Sequence, residues 1–267
     1  MDREIYSTQK LSEHIFRISE MNLVSSFLIV GEKSAILIDC GAGVSEIMPE
    51  IRKITALPVT LVASHAHVDH IGGAKEFGRM HIHFADLPLV AYSNSYKQRV
   101  DFFKKHNVLN EVKEINGGKL IKYKSYLFTF PFRSGKTFRL GGVTVEAIRT
   151  PGHSSGSCIF RIQEDKMILV GDNFIPYLLL QYDFGSSLKK WVKGCEKLLE
   201  ISDGYTLYGS HGRNAVSRDA LMWQYKTAKE IVASTKRNDS FYKKKIVTVT
   251  HNEHKHLILR YRTDKIL

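Results

Sequence analysis

The stretch Ser64-His65-Ala66-His67-Val68-Asp69-His70 places four side chains that can bind metal within six positions. It directly follows an apolar run, residues 59–63, whose composition predicts a strand. Packing does not explain the stretch, because histidine and aspartate are poor core residues unless they are paired. If the turn is extended, its first two histidines project to one side and can bind one ion, while Asp69 and His70 turn toward a second position. The sequence therefore predicts a metal site at the end of this strand.

Three further candidate ligands each follow a predicted strand and are adjacent to a glycine. They are His153 in Thr-Pro-Gly-His, Asp172 in Val-Gly-Asp and His211 in Gly-Ser-His-Gly. In a layered α/β protein, loops that leave strands at one edge of a sheet converge there. We therefore expect all seven side chains to meet.

The donor types indicate which metal to expect. A lone histidine is more often a surface or hydrogen-bonded core residue than a ligand, but seven donors in this order predict a metal site. Five histidines and two aspartates offer only nitrogen and oxygen, which favours two Zn²⁺ ions, with Mn²⁺, Fe²⁺ or cobalt as alternatives for the same ligands. We interpret the tail histidines, His251, His254 and His256, as solvent-exposed.

The remaining pattern predicts alternating strands and helices in one domain, residues 1–267. Short strands are expected between Ile15 and Asp39, and a helix is expected from Val44 to Ile54. Residues 88–135 are interpreted as a helical and aromatic insertion, and residues 241–263 as a C-terminal hairpin.

Three longer helices are predicted from apolar residues at helical spacing. The first, Tyr92 to Leu109, lies in the insertion and leads to the aromatic stretch Tyr123 to Phe132, which is either core or a flap over the metals. The second runs from Leu188 to Leu199, and the third from about Arg218 to Ser234.

Composition narrows the classes of function. The 267 residues contain three cysteines, too few and too odd in number for a disulfide framework, which favours a reducing cytoplasm. No apolar run reaches the roughly 20 residues of a membrane-spanning helix. The net charge of +12 predicts attraction to anions, which could be nucleic acid or an anionic small molecule. The sequence does not indicate an oligomeric state.

The order His-x-His-x-Asp-His, then Gly-His, Asp and His, resembles the metallo-β-lactamase superfamily over roughly Ile15 to Gly212. The resemblance implies the four-layer αββα sandwich, with two mixed sheets back to back and helices outside. It also implies a role for each ligand. The first metal would be held by His65, His67 and His153, the second by Asp69, His70 and His211, and both by Asp172 as a bridge. Asp39 resembles the early aspartate that braces the ligand loop.

The implied activity is hydrolysis by a metal-bridging hydroxide, acting on a small-molecule ester, thioester or lactone. Asp69 is the candidate catalytic proton donor to the leaving group, and Tyr177 is a weaker one. The insertion would roof the pocket.

Other activities of the same fold stay open. A phosphodiesterase or nuclease is the main alternative, because of the charge of +12. A β-lactamase or a non-hydrolytic redox protein fits less well, because residue 172 is Asp rather than Cys and residue 67 is His rather than Glu. The hairpin tail also differs from the helical glutathione-binding domain of the glyoxalase II branch.

Overall fold

The computed structural model describes residues 5–123, 126–235 and 245–267. The chain forms two compact units. The first contains Met1–Glu146 and Ile162–Asp165, and the second contains Ala147–Arg161 and Lys166–Leu267. The single domain expected for residues 1–267 stays a prediction.

A seven-stranded sheet forms the centre of the first unit. Its strands are adjacent in chain order, antiparallel up to the fourth and parallel from the fourth to the seventh. They are β1 (Tyr6–Lys10), β2 (Ile15–Glu20), β3 (Val24–Val30), β4 (Ala35–Ile38), β5 (Val59–Val62), β6 (Arg79–His83) and β7 (Phe128–Phe132). Strand β8 (Lys136–Arg139) follows them.

The side chains in the middle of this sheet are apolar and belong to a buried hydrophobic cluster. Leu37 of β4 pairs with Leu61 of β5, and both are buried together with Ile82 of β6. Burial of each such side chain contributes about 1.5–3 kcal/mol. Because β4 and β5 run parallel, Asp39 and the His65–His70 turn leave the sheet at the same edge.

Five α-helices accompany this sheet: α1 (Met48–Ile54), α2 (Val68–Ile71), α3 (Leu87–Ser93), α4 (Tyr96–Lys105) and α5 (Leu109–Ile115). Short 3-10 turns cover Ala74–Glu76 and Phe84–Asp86.

The single helix predicted from Tyr92 to Leu109 is wrong. The chain breaks at Asn94, whose side chain donates to the Ile71 carbonyl, and Ser95 then caps α4 by accepting from the Gln98 N–H at 3.3 Å. Serine and asparagine favour such caps over helix interiors. The aromatic stretch after this region joins the sheet as β7, while residues 124 and 125 lie outside the described residues.

The strands that follow form two further sheets. A five-stranded sheet has the order β13-β11-β10-β9-β8, and a three-stranded sheet has the order β12-β15-β14. The strands are β9 (Thr144–Arg149), β10 (Cys158–Ile162), β11 (Met167–Gly171), β12 (Tyr177–Leu180), β13 (Thr206–Gly209), β14 (Ile246–Thr250) and β15 (Ile258–Arg262).

The C-terminal hairpin is present as β14 and β15, which pair antiparallel. It is not a separate appendage, because β15 also pairs in parallel with β12. Residues 241–244 of the predicted hairpin lie outside the described residues. Two helices complete the second unit, α6 (Leu188–Ile201) and α7 (Arg218–Ser234).

Both helices confirm their predictions. Ser187 caps α6 and Ser217 caps α7, each through a side-chain oxygen that accepts from the first turn. Their apolar faces pack into one core around the fully buried Trp191. No helix within the described ranges is both long and apolar enough to cross a membrane.

A buried carboxylate organises the loop after β4 in the first unit. Glu20, 1% exposed, accepts hydrogen bonds from the backbone N–H groups of Ala42 and Val44, both at 2.7 Å. Arg99 donates to the carbonyls of Ala42 and Gly43 from the other side. Burial raises the pKa of Glu20 to about 7, although both backbone N–H groups and Arg99 act to lower it.

Glu20→Gln should therefore destabilise the protein by an amount that depends on pH. A carboxyl pKa raised from 4.5 to about 7 in the folded state stabilises the fold fully below pH 4.5, and this contribution is lost as pH rises through 7. At about 1.4 kcal/mol for each pKa unit, the total is about 3 kcal/mol. Urea unfolding should show a larger stability gap between wild type and Glu20→Gln at pH 5 than at pH 8.

Glu13→Gln, which changes an exposed glutamate, is the control and should show a small gap at both pH values. A Glu20→Gln gap that is constant or grows with pH would contradict the raised pKa.

Candidate metal centre

The first set of predicted ligands lies on the turn between β5 and α2. His67 is in extended conformation at the residue before α2, and α2 carries Asp69 and His70. The rings of His65 and His67 are 4.6 Å apart between centroids, and their ligand atoms lie within 4.8 Å of each other. The Asp69 Oδ2 is 3.7 Å from the His70 Nε2. The turn thus presents two neighbouring pairs of donors.

Asp39 fixes this turn from behind. Its Oδ1 accepts from the Ser64 N–H at 2.7 Å, and its Oδ2 lies 2.7 Å from the Ser64 hydroxyl and 2.8 Å from the His70 Nδ1. The aspartate is fully buried and has φ +62°, a conformation that Asp and Asn adopt more readily than most residues. Ser64 in turn lies 3.0 Å from the His65 Nδ1. Two ligand rings are therefore oriented through one carboxylate.

A second buried carboxylate, which sequence reasoning missed, supports the same turn. Asp86 Oδ2 accepts from the Ala66 N–H at 3.0 Å, between the two histidines of the His-x-His step. Asp86 is fully buried. It lies twenty residues beyond the turn, in a sequence that resembles an ordinary helix start, so no local signal distinguishes it.

The second set of ligands belongs to the second unit. Strands β11 and β13 are parallel, so Asp172 after β11 and His211 after β13 emerge at one edge. The Asp172 Oδ2 lies 3.2 Å from the His211 Nε2 and 3.5 Å from the His153 Nε2. His153 and Asp172 are buried, whereas the His211 side chain is 32% exposed. One carboxylate oxygen thus faces two imidazole nitrogens.

Contacts of the main chain hold His153 in place. Its Nδ1 lies 2.7 Å from the Leu179 carbonyl of β12, and its N–H donates to the Asn173 Oδ1 at 2.8 Å. Gly152 precedes it because a Cβ there would lie 2.4 Å from Trp191 and 2.5 Å from the Asn173 Oδ1. The sequence pattern did not identify Asn173 or Leu179, since both act through contacts between segments distant in the chain.

These donors are chemically suited to divalent metal ions. In His65, His70 and His153 the Nδ1 has a hydrogen-bond partner, so a metal would bind these rings at Nε2. Metal-binding histidines characteristically donate their other ring N–H to a carboxylate, carbonyl or water in this way. An aspartate oxygen lies near the Nε2 of His70 in the first unit and near that of His153 in the second.

Comparison with known proteins identifies the family. The family model of the metallo-beta-lactamase superfamily matches residues 21–228, more than half of the chain. The chain belongs to the metallo-β-lactamase superfamily. The resemblance stated from the motif is therefore confirmed.

Individual relatives and solved structures are similar to this protein over most of its length. It is 25% identical to acyl-coenzyme A thioesterase MBLAC2 of Bos taurus over 218 residues, covering 75% of this chain and 77% of the relative. It is 26% identical to the atrochrysone carboxyl ACP thioesterase of Aspergillus fumigatus over 216 residues, covering 77% of this chain and 42% of that one. A metallo-beta-lactamase from Pontibacter korlensis superposes with a TM-score of 0.58 at 15% identity, covering 83% and 97%.

The metallo-β-lactamase fold predicted from the motif is confirmed by this structural likeness. Superfamily membership and the thioesterase relatives together support a hydrolase. The roles of the seven individual ligands, and the identity of the metal, stay predictions.

Asp39→Asn should weaken metal binding without unfolding the protein. Asparagine tolerates the left-handed backbone but cannot accept hydrogen bonds on both side-chain atoms, so the His70 ring loses its fixed orientation. Loss of such an outer partner lowers metal affinity by about 10- to 100-fold. Competition with a chromogenic chelator measures the change.

Asp101→Asn provides a matched control, because that aspartate lies on the exposed face of α4 and pairs with Lys97 on the same helix. It should keep wild-type zinc affinity. If Asp39→Asn keeps it too while remaining folded by circular dichroism, Asp39 does not position the ligands.

Proposed function

We propose that this protein is a metal-dependent hydrolase of acyl thioesters. The observation that carries the proposal is the pair of donor sets, in which three of the five histidine rings are held at Nδ1 by Ser64, Asp39 and Leu179. Fixing the outer nitrogen before a metal arrives lowers the cost of ordering the ligands on binding. The thioesterase relatives supply the substrate class.

In this proposal the two sets act as one binuclear centre. His65, His67 and His153 hold the first ion, Asp69, His70 and His211 hold the second, and Asp172 bridges them. A bridging role suits Asp172 because its Oδ2 already faces both His153 and His211. We propose zinc as the metal, since nitrogen and oxygen donors suit it, with manganese or iron as alternatives.

The chain's own residues then have distinct tasks. When bound, paired divalent ions supply a water of lowered pKa and polarise the substrate carbonyl. Asp69 is the proposed proton donor, because its side chain is 15% exposed and borders the His70 Nε2. The Asp39 and Asp86 carboxylates keep the turn rigid, so the donors do not have to reorganise during the reaction.

A thioester suits this centre better than an amide. A thiol has a pKa near 8.5, so the thiolate leaves readily and needs little help from an acid. A single proton donor such as Asp69 is sufficient for that leaving group. Tyr177, the weaker candidate, lies on β12, with the Arg260 guanidinium 5.8 Å from the centre of its ring.

Two further points complete the proposal. The three cysteines have no disulfide framework to form, and we propose a reducing, cytoplasmic location on that ground. A phosphodiesterase or nuclease is the second candidate, favoured by the net charge of +12.

The proposal predicts that purified protein hydrolyses acyl-coenzyme A thioesters, that a chelator abolishes turnover and that added Zn²⁺ restores it. Asp172→Ala should lower kcat/KM at least 100-fold, because the bridging carboxylate serves both ions. Release of free thiol, followed with a thiol reagent, measures the rate. Asp203→Ala, which removes an exposed aspartate, should leave the rate unchanged.

The same preparation should be tested on oxoesters, lactones and an activated phosphodiester. Thioester turnover that resists chelation would contradict the metal-dependent reaction. Turnover confined to the phosphodiester would replace the proposal with the second candidate.

A further inference from the structure

The first unit contains a cavity of about 510 Å³ away from the predicted ligands in sequence. Its lining is formed by the ends of α4 and α5 and the segment that follows them: Tyr96, Lys113, Gly118, Lys119, Leu120 and Lys122. This volume lies within the range of small-ligand sites, roughly 300–1,000 Å³. Among the residues that the structure describes, none of those lining it is acidic.

Three ammonium groups give the cavity a concentrated positive charge. Within the described ranges, none of the lysines at 113, 119 and 122 forms an ion pair. Lys122 instead lies with its Nζ 5.3 Å from the centre of the Tyr96 ring. Elsewhere on α4, Lys97 is neutralised by Asp101 at 2.6 Å. Lys104 and Lys105 at the end of α4 are also exposed, but neither lines the cavity.

The cavity walls are rigidly attached to the fold. Arg99 donates to the Ile121 carbonyl at 2.7 Å, and Asn116 donates to the Val44 carbonyl at 2.7 Å. Beneath them Phe103, Val112 and Leu120 form one buried cluster with Ala42 and Val44. A ligand there would meet a preformed surface, which reduces the ordering cost of binding.

The same walls are connected to the donor turn. Helix α4 packs against α2, which carries Asp69 and His70, and also against α3 and α5. Asn94, two residues before α4, donates to the Ile71 carbonyl at the end of α2. The cavity therefore lies on the same framework as the first set of ligands.

A ligand for this cavity must carry several negative charges and a flat apolar group. Lysine ammonium groups bind phosphate as point charges. Tyr96 is 45% exposed and offers a ring on which a base can stack. Together these features match an adenine nucleotide bearing several phosphates. An extended nucleic acid fits less well, because the charge is concentrated in a concave site.

We propose that this cavity binds the nucleotide end of a coenzyme A thioester. Lys113, Lys119 and Lys122 bind its phosphates and Tyr96 contacts its adenine, while the flexible pantetheine arm extends toward the donor turn. The inference rests on the proposed thioesterase function, but it adds a recognition site that is separate from the ligands.

Binding can be measured without any reaction by using desulfo-coenzyme A, which has neither a thiol nor a scissile bond. Isothermal titration should show binding to wild type, with Kd rising steeply with salt. The triple variant Lys113→Ala, Lys119→Ala, Lys122→Ala should raise Kd at least tenfold. The matched variant Lys189→Ala, Lys193→Ala, Lys197→Ala removes the same charge from exposed positions on α6 and should keep wild-type Kd.

Absent binding, or equal weakening by both triple variants, would overturn the site. Tighter binding of a short RNA that the cavity variant alone weakens would also overturn it, in favour of nucleic acid.

Kinetics distinguishes this inference from the proposed function. The cavity variant should raise KM for an acyl-coenzyme A at least tenfold with little change in kcat, and leave the same acyl group on N-acetylcysteamine unaffected. Hydrolysis of both substrates with no change in the variant would overturn the cavity but keep the thioesterase. Failure of wild type on both would end the thioesterase proposal, while desulfo-coenzyme A binding would still report on the cavity.

Discussion

The buried carboxylate of Asp39 is the interaction on which the first ligand set depends. It receives the backbone and hydroxyl of Ser64 and contacts the Nδ1 of His70, while Ser64 passes the constraint on to His65. A carboxylate with no exposure is costly unless its oxygens are satisfied, and here the ligand turn satisfies them. The same contacts that make Asp39 tolerable in the interior orient two imidazoles for a metal.

In the second unit, contacts with main-chain groups orient the ligand histidine. The Leu179 carbonyl orients His153, and Asn173 fixes its backbone, so Asp172 can face two imidazoles. The superfamily fold leaves substrate choice to the segments around such donors, since function depends on the site rather than on the fold. In this chain the segment around α4 and α5 places three lysines at one cavity, which we propose binds the substrate.

The features that were predicted correctly are those set by residues close together in the sequence. Capping serines and apolar spacing were enough to predict α6 and α7, and the donor motif led to the superfamily and its fold. The features that were not predicted depend on contacts between residues that are distant along the chain. Asp86 supports a turn twenty residues before it, and Asn94 ends a helix by bonding to Ile71. The strand β1 was not predicted because its residues are polar, and only pairing with β2 makes them a strand.

The central claim is that nitrogen and oxygen donors from the two sets share a pair of ions. X-ray absorption on zinc- or cobalt-loaded protein tests it most directly, because it detects both the donor atoms and a neighbouring metal. The loaded protein should show only nitrogen and oxygen bound to each metal, and a second metal at roughly 3.5–4 Å. A sulfur donor, or a single isolated ion at full loading, would contradict it.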